Sequence, residues 1–218
     1  MIKSLYPCFQ HWSEKGGVYL VSDTHFDDSD RKLMGYNISN EDQFYLLNNT
    51  CHKNDTLIHL GDIGNLEYIK KLKCYKVLIM GNHDQSIQKM QEVFDEVYSG
   101  PLWISQKLVL SHEPIEIKAG IMADRIAFNI HGHDHSGGYL NDDYHFNIAQ
   151  NVYGYIPLNL NQYIKSGKLN KIKDIHRVTI DTASERRKFI DSYCAYCGSQ
   201  RCEGPDSEFG KGCKYFNV

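Results

Sequence analysis

Residues 75–84 read YKVLIMGNHD. The first six, Tyr75 to Met80, form a short apolar run of the length of a buried strand. The next four break that pattern at once. Gly81, Asn82, His83 and Asp84 set a backbone turn, a carboxamide, an imidazole and a carboxylate on the strand's carboxyl end. In open α/β sheets, ligands bind beyond that end. The same event recurs along the chain. Asp23 follows LVS, Asp62 follows LIHLG, His112 follows LVLS and His133 follows AFNIHG. Five strand ends can therefore converge on one cleft, although their polar residues are far apart in sequence.

Outward from this stretch, the first 160 residues alternate apolar strands with amphipathic segments. Gly17 to Ser22 reads as a buried strand. Asn40 to Cys51 reads as a helix with Phe44, Leu46 and Leu47 apolar and Ser39 or Asn40 as N-cap. Thr56 to Leu60 is a second strand, Leu66 to Leu72 a short helix, Tyr75 to Met80 a third strand, and Ser86 to Phe94 a further helix. This alternation predicts parallel pairing in an α/β fold. After Val97, the segments Leu102–Ile104, Lys107–Ser111, Arg125–Ile130 and Tyr144–Ala149 read as strands with short connections. A helix is expected over Leu158–Lys165, a late strand over Val178–Ile180, and a last helix over Glu185–Tyr193.

The polar residues at the strand ends are suited to holding cations. Asp23 and His25 stand two apart on extended chain, so both side chains leave from one face. His133 and His135 repeat the arrangement. Asp62 has two oxygens and can bridge two ions, and Asn82 can offer a carbonyl oxygen without adding charge. Gly61, Gly81 and Gly132 permit tight turns and close backbone approach. Carboxylate, carboxamide and imidazole together suit Mn, Fe, Zn, Co or Ni.

Asp23-x-His25, Gly61-Asp62, Gly81-Asn82-His83-Asp84, His112 and Gly132-His133-x-His135 together resemble the motif set of the calcineurin-like metallophosphoesterases, in particular the small microbial and phage-type members. The resemblance covers roughly residues 18 to 150. It implies a four-layer αββα sandwich of two facing mixed β-sheets flanked by helices, with residues 1–182 as the phosphoesterase domain. It implies that Asp23, His25, Asp62 and His135 hold one metal, and that Asp62, Asn82, His112 and His133 hold the other. His83 would lie near the metals without ligating them and assist the chemistry, and Asp84 would orient His83. Two metals of this kind can hold a bridging hydroxide and clamp a phosphate in line with it, which hydrolyses phosphate mono- or diesters. The substrate is expected to be a phosphorylated small molecule or a nucleotide. The alternatives are a catalytically silent metal-binding scaffold of the same fold and a nuclease.

The bulk composition fits one globular domain: 218 residues, 41% hydrophobic and 23% charged. No run approaches the roughly 20 apolar residues of a membrane helix, and Met1 to Lys15 lacks the apolar region of a secretory signal. The expected location is the cytoplasm. Net charge is −3. Residues 1–160 carry 13 Lys+Arg against 20 Asp+Glu, whereas residues 161–218 carry 11 against 7. The acidic larger part argues against tight binding of duplex nucleic acid. The basic tail reads as a solvated surface that could also touch a phosphate.

Seven cysteines, an odd number, argue against a disulfide framework. Four of them, Cys194, Cys197, Cys202 and Cys213, form a cluster in a C-terminal extension over residues 183–218. Four thiolates suffice for a structural zinc, while the irregular spacing leaves free thiols or an iron–sulfur site as alternatives. Among the remaining histidines, His59 reads as a core residue and His131 as either a strand end or a support for the metal block. His145 reads as packing that could approach substrate, and His11, His52 and His176 as surface. Asp27 and Asp28 read as solvated, and Phe26 and Tyr36 as packing or the rim of the cleft.

Overall fold

The computed structural model describes residues 1–116, 118–119, 124–125, 127–137 and 142–172. A 3-10 turn over Pro7–Ser13 precedes β1 (Val18–Val21), α1 (Asn40–Thr50), β2 (Thr56–His59), α2 (Leu66–Lys70), β3 (Tyr75–Ile79) and α3 (Ile87–Gln91). Then come β4 (Glu96–Tyr98), β5 (Leu102–Trp103), β6 (Leu108–Leu110) and a ribbon of β7 (Lys118–Ala119) and β8 (Asp124–Arg125). β9 (Phe128–His131), β10 (His145–Asn147), α4 (Gln150–Tyr153), β11 (Leu158–Asn159) and α5 (Leu160–Lys165) complete the order, with a 3-10 turn at Lys168–Lys171. The expected strand Val178–Ile180, helix Glu185–Tyr193, division between residues 182 and 183, and cysteine cluster all lie outside the described residues.

Two mixed sheets result. The first has the order β11-β1-β2-β3-β4, parallel throughout except for antiparallel β11. The second has the order β10-β9-β6-β5, with only β5 antiparallel. They face each other across one core. Val18, Leu20, Ile58, Leu60, Val77 and Ile79 from the first sheet pack with Leu108, Leu110, Phe128 and Ile130 from the second. Each such side chain contributes roughly 1.5–3 kcal/mol of transfer free energy on burial. The opposite face of the first sheet sends out Val21, Leu57 and Leu78, which are covered by Leu47 of α1, Ile69 of α2 and Met90 of α3. β2 is thus buried on both faces, and all four residues of its sequence TLIH are buried without alternation for that reason.

Helix starts follow local chemistry. The Ser39 side chain accepts the Asp42 N–H at 3.0 Å and caps α1, settling the choice between Ser39 and Asn40. One expectation is corrected. Leu158 and Asn159 do not begin a helix but pair with Leu20 and Tyr19 of β1, and Asn159 then caps α5. Open edge groups on β1 compete with helix propensity there, and the cap shifts the helix start to Leu160. Among the described residues, no helix is long and apolar enough to cross a membrane.

Candidate metal centre

The loops leaving β1, β2, β3, β6 and β9 meet at one end of the sandwich. Hydrogen bonds between main chains lock the first two together. The Asp23 N–H donates to Gly61 at 2.9 Å, that of His25 to Asp62 at 3.1 Å, and that of Phe26 to Ile63 at 2.9 Å. His59 adds a side-chain tie. Its Nδ1 accepts the Gly61 N–H at 3.1 Å, and its Nε2 donates to Thr24 Oγ1 at 3.0 Å. The Thr24 hydroxyl in turn donates to the Ile63 carbonyl. Burial presses the His59 pKa down to about 3, so this ring is neutral and fully satisfied. The core histidine expected from sequence also joins two ligand-bearing loops.

These loops are bent into unusual backbone shapes. Asp23 (φ 55°), His25 (φ 42°), Asp62 (φ 59°) and His133 (φ 67°) all occupy the left-handed region, where a residue with a side chain costs on the order of 1–3 kcal/mol. Gly132 is needed for close approach. A methyl group there would collide with Ser22 Oγ and Asp23 Oδ2, both on buried residues.

The turns gather the side chains into two groups. Asp23, His25 and His135 form one, and Asp62, His112 and His133 the other. Within each group the donor atoms lie within 4.8 Å of one another. Asp62 joins the two, since its Oδ2 is 3.6 Å from His25 Nε2 and 3.4 Å from His112 Nε2. Its Oδ1 accepts the His83 N–H at 2.9 Å. Asn82 Oδ1 completes the second group, 2.9 Å from His112 Nε2 and 3.1 Å from His133 Nδ1. All seven expected donors are therefore brought together.

Partners on the far side of each ring decide which nitrogen faces inward. His25 Nδ1 donates to Asp28 at 3.0 Å, His112 Nδ1 to the Leu60 carbonyl at 2.8 Å, and His135 Nδ1 to Asn151 Oδ1 at 2.9 Å. All three rings present Nε2 to the cleft. His25 Nε2 is buried and has no hydrogen-bond partner. It faces Asp62 Oδ2 and, at 4.0 Å, Asp23 Oδ1. An unpaired buried polar atom of this kind costs about 1–3 kcal/mol, and a divalent cation would satisfy it. The oxygen and imidazole donor set thus fits a binuclear centre of divalent metals. Asp28 is corrected from a solvated residue to the carboxylate that orients His25. Asn151 is a residue that the sequence reading missed.

Electrostatics distinguish the carboxylates. Burial alone would raise the Asp62 pKa, but the hydrogen bond and charge of His112, with the His83 N–H, hold it at about 2. Asp23 is raised from its ordinary value by burial, which outweighs the attraction of His112 and the N–H of His133. Burial works against a charged His112. Its hydrogen bond to Asp62 and the charges of Asp23 and Asp62 nevertheless raise its pKa to about 9.

Residues 17–148 match the family model of the Calcineurin-like phosphoesterase superfamily domain. The chain belongs to this superfamily. Among solved structures, this calcineurin-like phosphoesterase chain is similar to a protein of unknown function from Aquifex aeolicus. The identity is 26% over 69% of this chain and 98% of that one, with a TM-score of 0.55. It also aligns with the nuclease MPE of Pseudomonas putida, at 23% identity over 53% of this chain and 60% of that one, with a TM-score of 0.38. No curated protein matches the chain.

The remaining residues singled out in the sequence sort clearly. His83 is exposed at the mouth of the cleft, its ring centroid 5.8 Å from that of His25. Asp84 does not orient it. The Asp84 carboxylate accepts the N–H groups of Gly81 (2.8 Å), Asp62 (3.2 Å) and Ile63 (3.0 Å), and so holds two ligand loops in register. His131 is buried, with Nδ1 on the Gly132 carbonyl, and burial lowers its pKa to about 4. His145 is held by Asp142 and the Ile115 carbonyl. Phe26 stacks on Tyr68 at 4.4 Å, and Tyr36 is buried with its hydroxyl on the Asp23 carbonyl. His11 pairs with Glu96 at 2.5 Å, and His52 is exposed. His176 lies outside the described residues.

Proposed function

We propose that the chain is a metal-dependent phosphoesterase. In this reading it hydrolyses mono- or diesters of small or nucleotide-like phosphates. Asp23, His25, Asp62 and His135 would hold one divalent cation, and Asp62, Asn82, His112 and His133 the other. The observation that carries this reading is Asp62 Oδ2, which stands 3.6 Å and 3.4 Å from one imidazole of each group. When bound, such a pair of cations supplies Lewis acidity toward water and toward a phosphoryl oxygen. The protein's own residues do the rest. His83, at the open face, hydrogen-bonds a phosphoryl oxygen or gives a proton to the leaving oxygen. Asn82 supplies a donor atom without adding negative charge that would repel a phosphate. Asp84 holds the loops of Asp62 and Asn82 at a fixed separation.

Mn, Fe, Zn, Ni and Co all suit these donors. Cys8, Cys51 and Cys74 are free thiols, in keeping with a reducing, cytoplasmic setting. Residues 1–182 serve as the catalytic domain in this reading, with the cysteine-bearing extension beside it. The test is a matrix of metals and substrates. Apo-protein is reloaded with Mn, Zn, Ni or Fe and offered p-nitrophenyl phosphate, its bis ester, and cyclic and linear nucleotides. Hydrolysis with at least one metal, abolished by Asp62→Asn, is expected. Two bound ions with no hydrolysis of any ester would instead make the chain a silent scaffold.

A further inference from the structure

The stretch from Ser29 to Ser39 lies between β1 and α1 and opens on Asp30, Arg31 and Lys32, yet Arg31 and Tyr36 within it are buried. Arg31 Nη1 donates to the carbonyls of Thr24 (2.8 Å) and His25 (3.1 Å). Its Nη2 donates to the Ile38 carbonyl (3.1 Å) and to Gln43 Oε1 (2.8 Å). Gln43 Nε2 also donates to Thr24 O at 3.0 Å, and the Tyr36 hydroxyl donates to the carbonyl of Asp23. The guanidinium lies over the Tyr36 ring, 4.6 Å from its centroid. Three successive carbonyls, those of residues 23, 24 and 25, are thus held by side chains of residues 31–43. The same stretch reaches the third donor. Asn151 Nδ2 donates to the carbonyls of Met34 (2.7 Å) and His135 (2.8 Å), while its Oδ1 holds the His135 ring.

We propose that Arg31 is a positioning residue for the Asp23, His25, His135 half of the centre. Asp23 and His25 occupy left-handed backbone, and rotation of either adjoining peptide would swing a carbonyl toward the cleft and turn the donor away. A planar guanidinium can hold four acceptors lying in two directions, whereas an ammonium cannot. Arg31 therefore fixes both the peptide planes and the aim of His25 Nε2. Asp27 and Asp28 lie close enough to oppose part of the charge it brings into the loop.

This inference rests on the proposal that these three residues take a cation, and the experiment separates the two. Mn(II) binding is measured by calorimetry and electron paramagnetic resonance on the wild type, Arg31→Ala, Arg31→Lys and Tyr36→Phe, each also combined with His112→Ala to isolate the Asp23 half. Arg31→Ala is expected to weaken binding at that half about tenfold or more, the effect usual for residues that orient ligands. The Asp62 half should stay unchanged. Millimolar methylguanidinium should restore the loss, and Arg31→Lys should not. Tyr36→Phe should weaken the same half by a smaller factor with its unfolding midpoint kept. Wild-type binding at the Asp23 half in both Arg31 variants, or equal weakening of the two halves, would overturn the role given to Arg31. A wild type that takes up no Mn(II) would overturn the underlying proposal instead.

Discussion

Raising the pH from 7 to 9 is expected to strengthen cation binding at the Asp62, Asn82, His112, His133 half by about two orders of magnitude. The reason lies in the two nitrogens of His112. Nδ1 donates to the Leu60 carbonyl at 2.8 Å, and Nε2 faces Asn82 Oδ1 at 2.9 Å and Asp62 Oδ2 at 3.4 Å. Both nitrogens thus face acceptors, which favours the imidazolium and raises its pKa to about 9 despite burial. A cation at this position needs the Nε2 lone pair, so the proton must leave. At pH 7 the gap is about two units, each about a factor of ten in affinity. One proton exchanged per ion gives about a tenfold gain per pH unit, levelling off near pH 9. Titration calorimetry at pH 7 in buffers of contrasting ionisation enthalpy should report about one proton released per ion at this half. A binding enthalpy independent of buffer, with affinity flat from pH 7 to 9, would refute the assignment of that proton to His112.

His83→Ala should keep both ions by elemental analysis while slowing turnover about 10²–10⁴-fold; wild-type turnover would remove His83 from the chemistry. Gly132→Ala puts a methyl against Ser22 and Asp23. It should cost about 1–3 kcal/mol in chemical denaturation and weaken the Asp23 half, and an unchanged denaturation midpoint would count against the tight approach. His59, depressed to about 3 in the folded protein, contributes stability that is complete above about pH 6.5 and is lost as pH falls toward 3. His131, at about 4, acts in the same sense. The unfolding free energy of apo-protein from urea titrations should therefore fall between pH 6.5 and 4.5, by about 1.4 kcal/mol per unit for each ring, and His59→Asn should remove one ring's share. His112 runs the other way, its contribution present below about pH 6.5 and lost as pH rises through 9.

The sequence showed most about the site where chemistry interrupts an apolar run. Asp23, Asp62, Asn82, His112 and His133 each end a strand, and such a break is visible without coordinates. What sequence could not show is which polar residues become buried through distant contacts. Arg31 lies in a charged connecting loop and Gln43 near the start of α1, and only the returning carbonyls of residues 23–25 make these polar side chains interior. Asp84 follows His83 directly, so adjacency suggested a pair, yet three N–H groups from two loops claim its oxygens. Asn151 sits on a helix of a single turn, α4, too short to give a periodic signal. β11 is two residues long and exists because β1 offers it an edge, a cause that lies more than a hundred positions upstream.

The left-handed donors carry a consequence for anyone breeding this scaffold. Glycine at position 23, 25, 62 or 133 would relax the main chain by about 1 kcal/mol or more while deleting a ligand. Heat challenge alone would therefore favour His133→Gly, whose ring is exposed, over glycine at 23 or 62, where the lost carboxylate accepts the N–H of His133 or His83. Directed evolution for robustness has to score cation binding in every round, because a change that relaxes this end of the molecule can remove a donor.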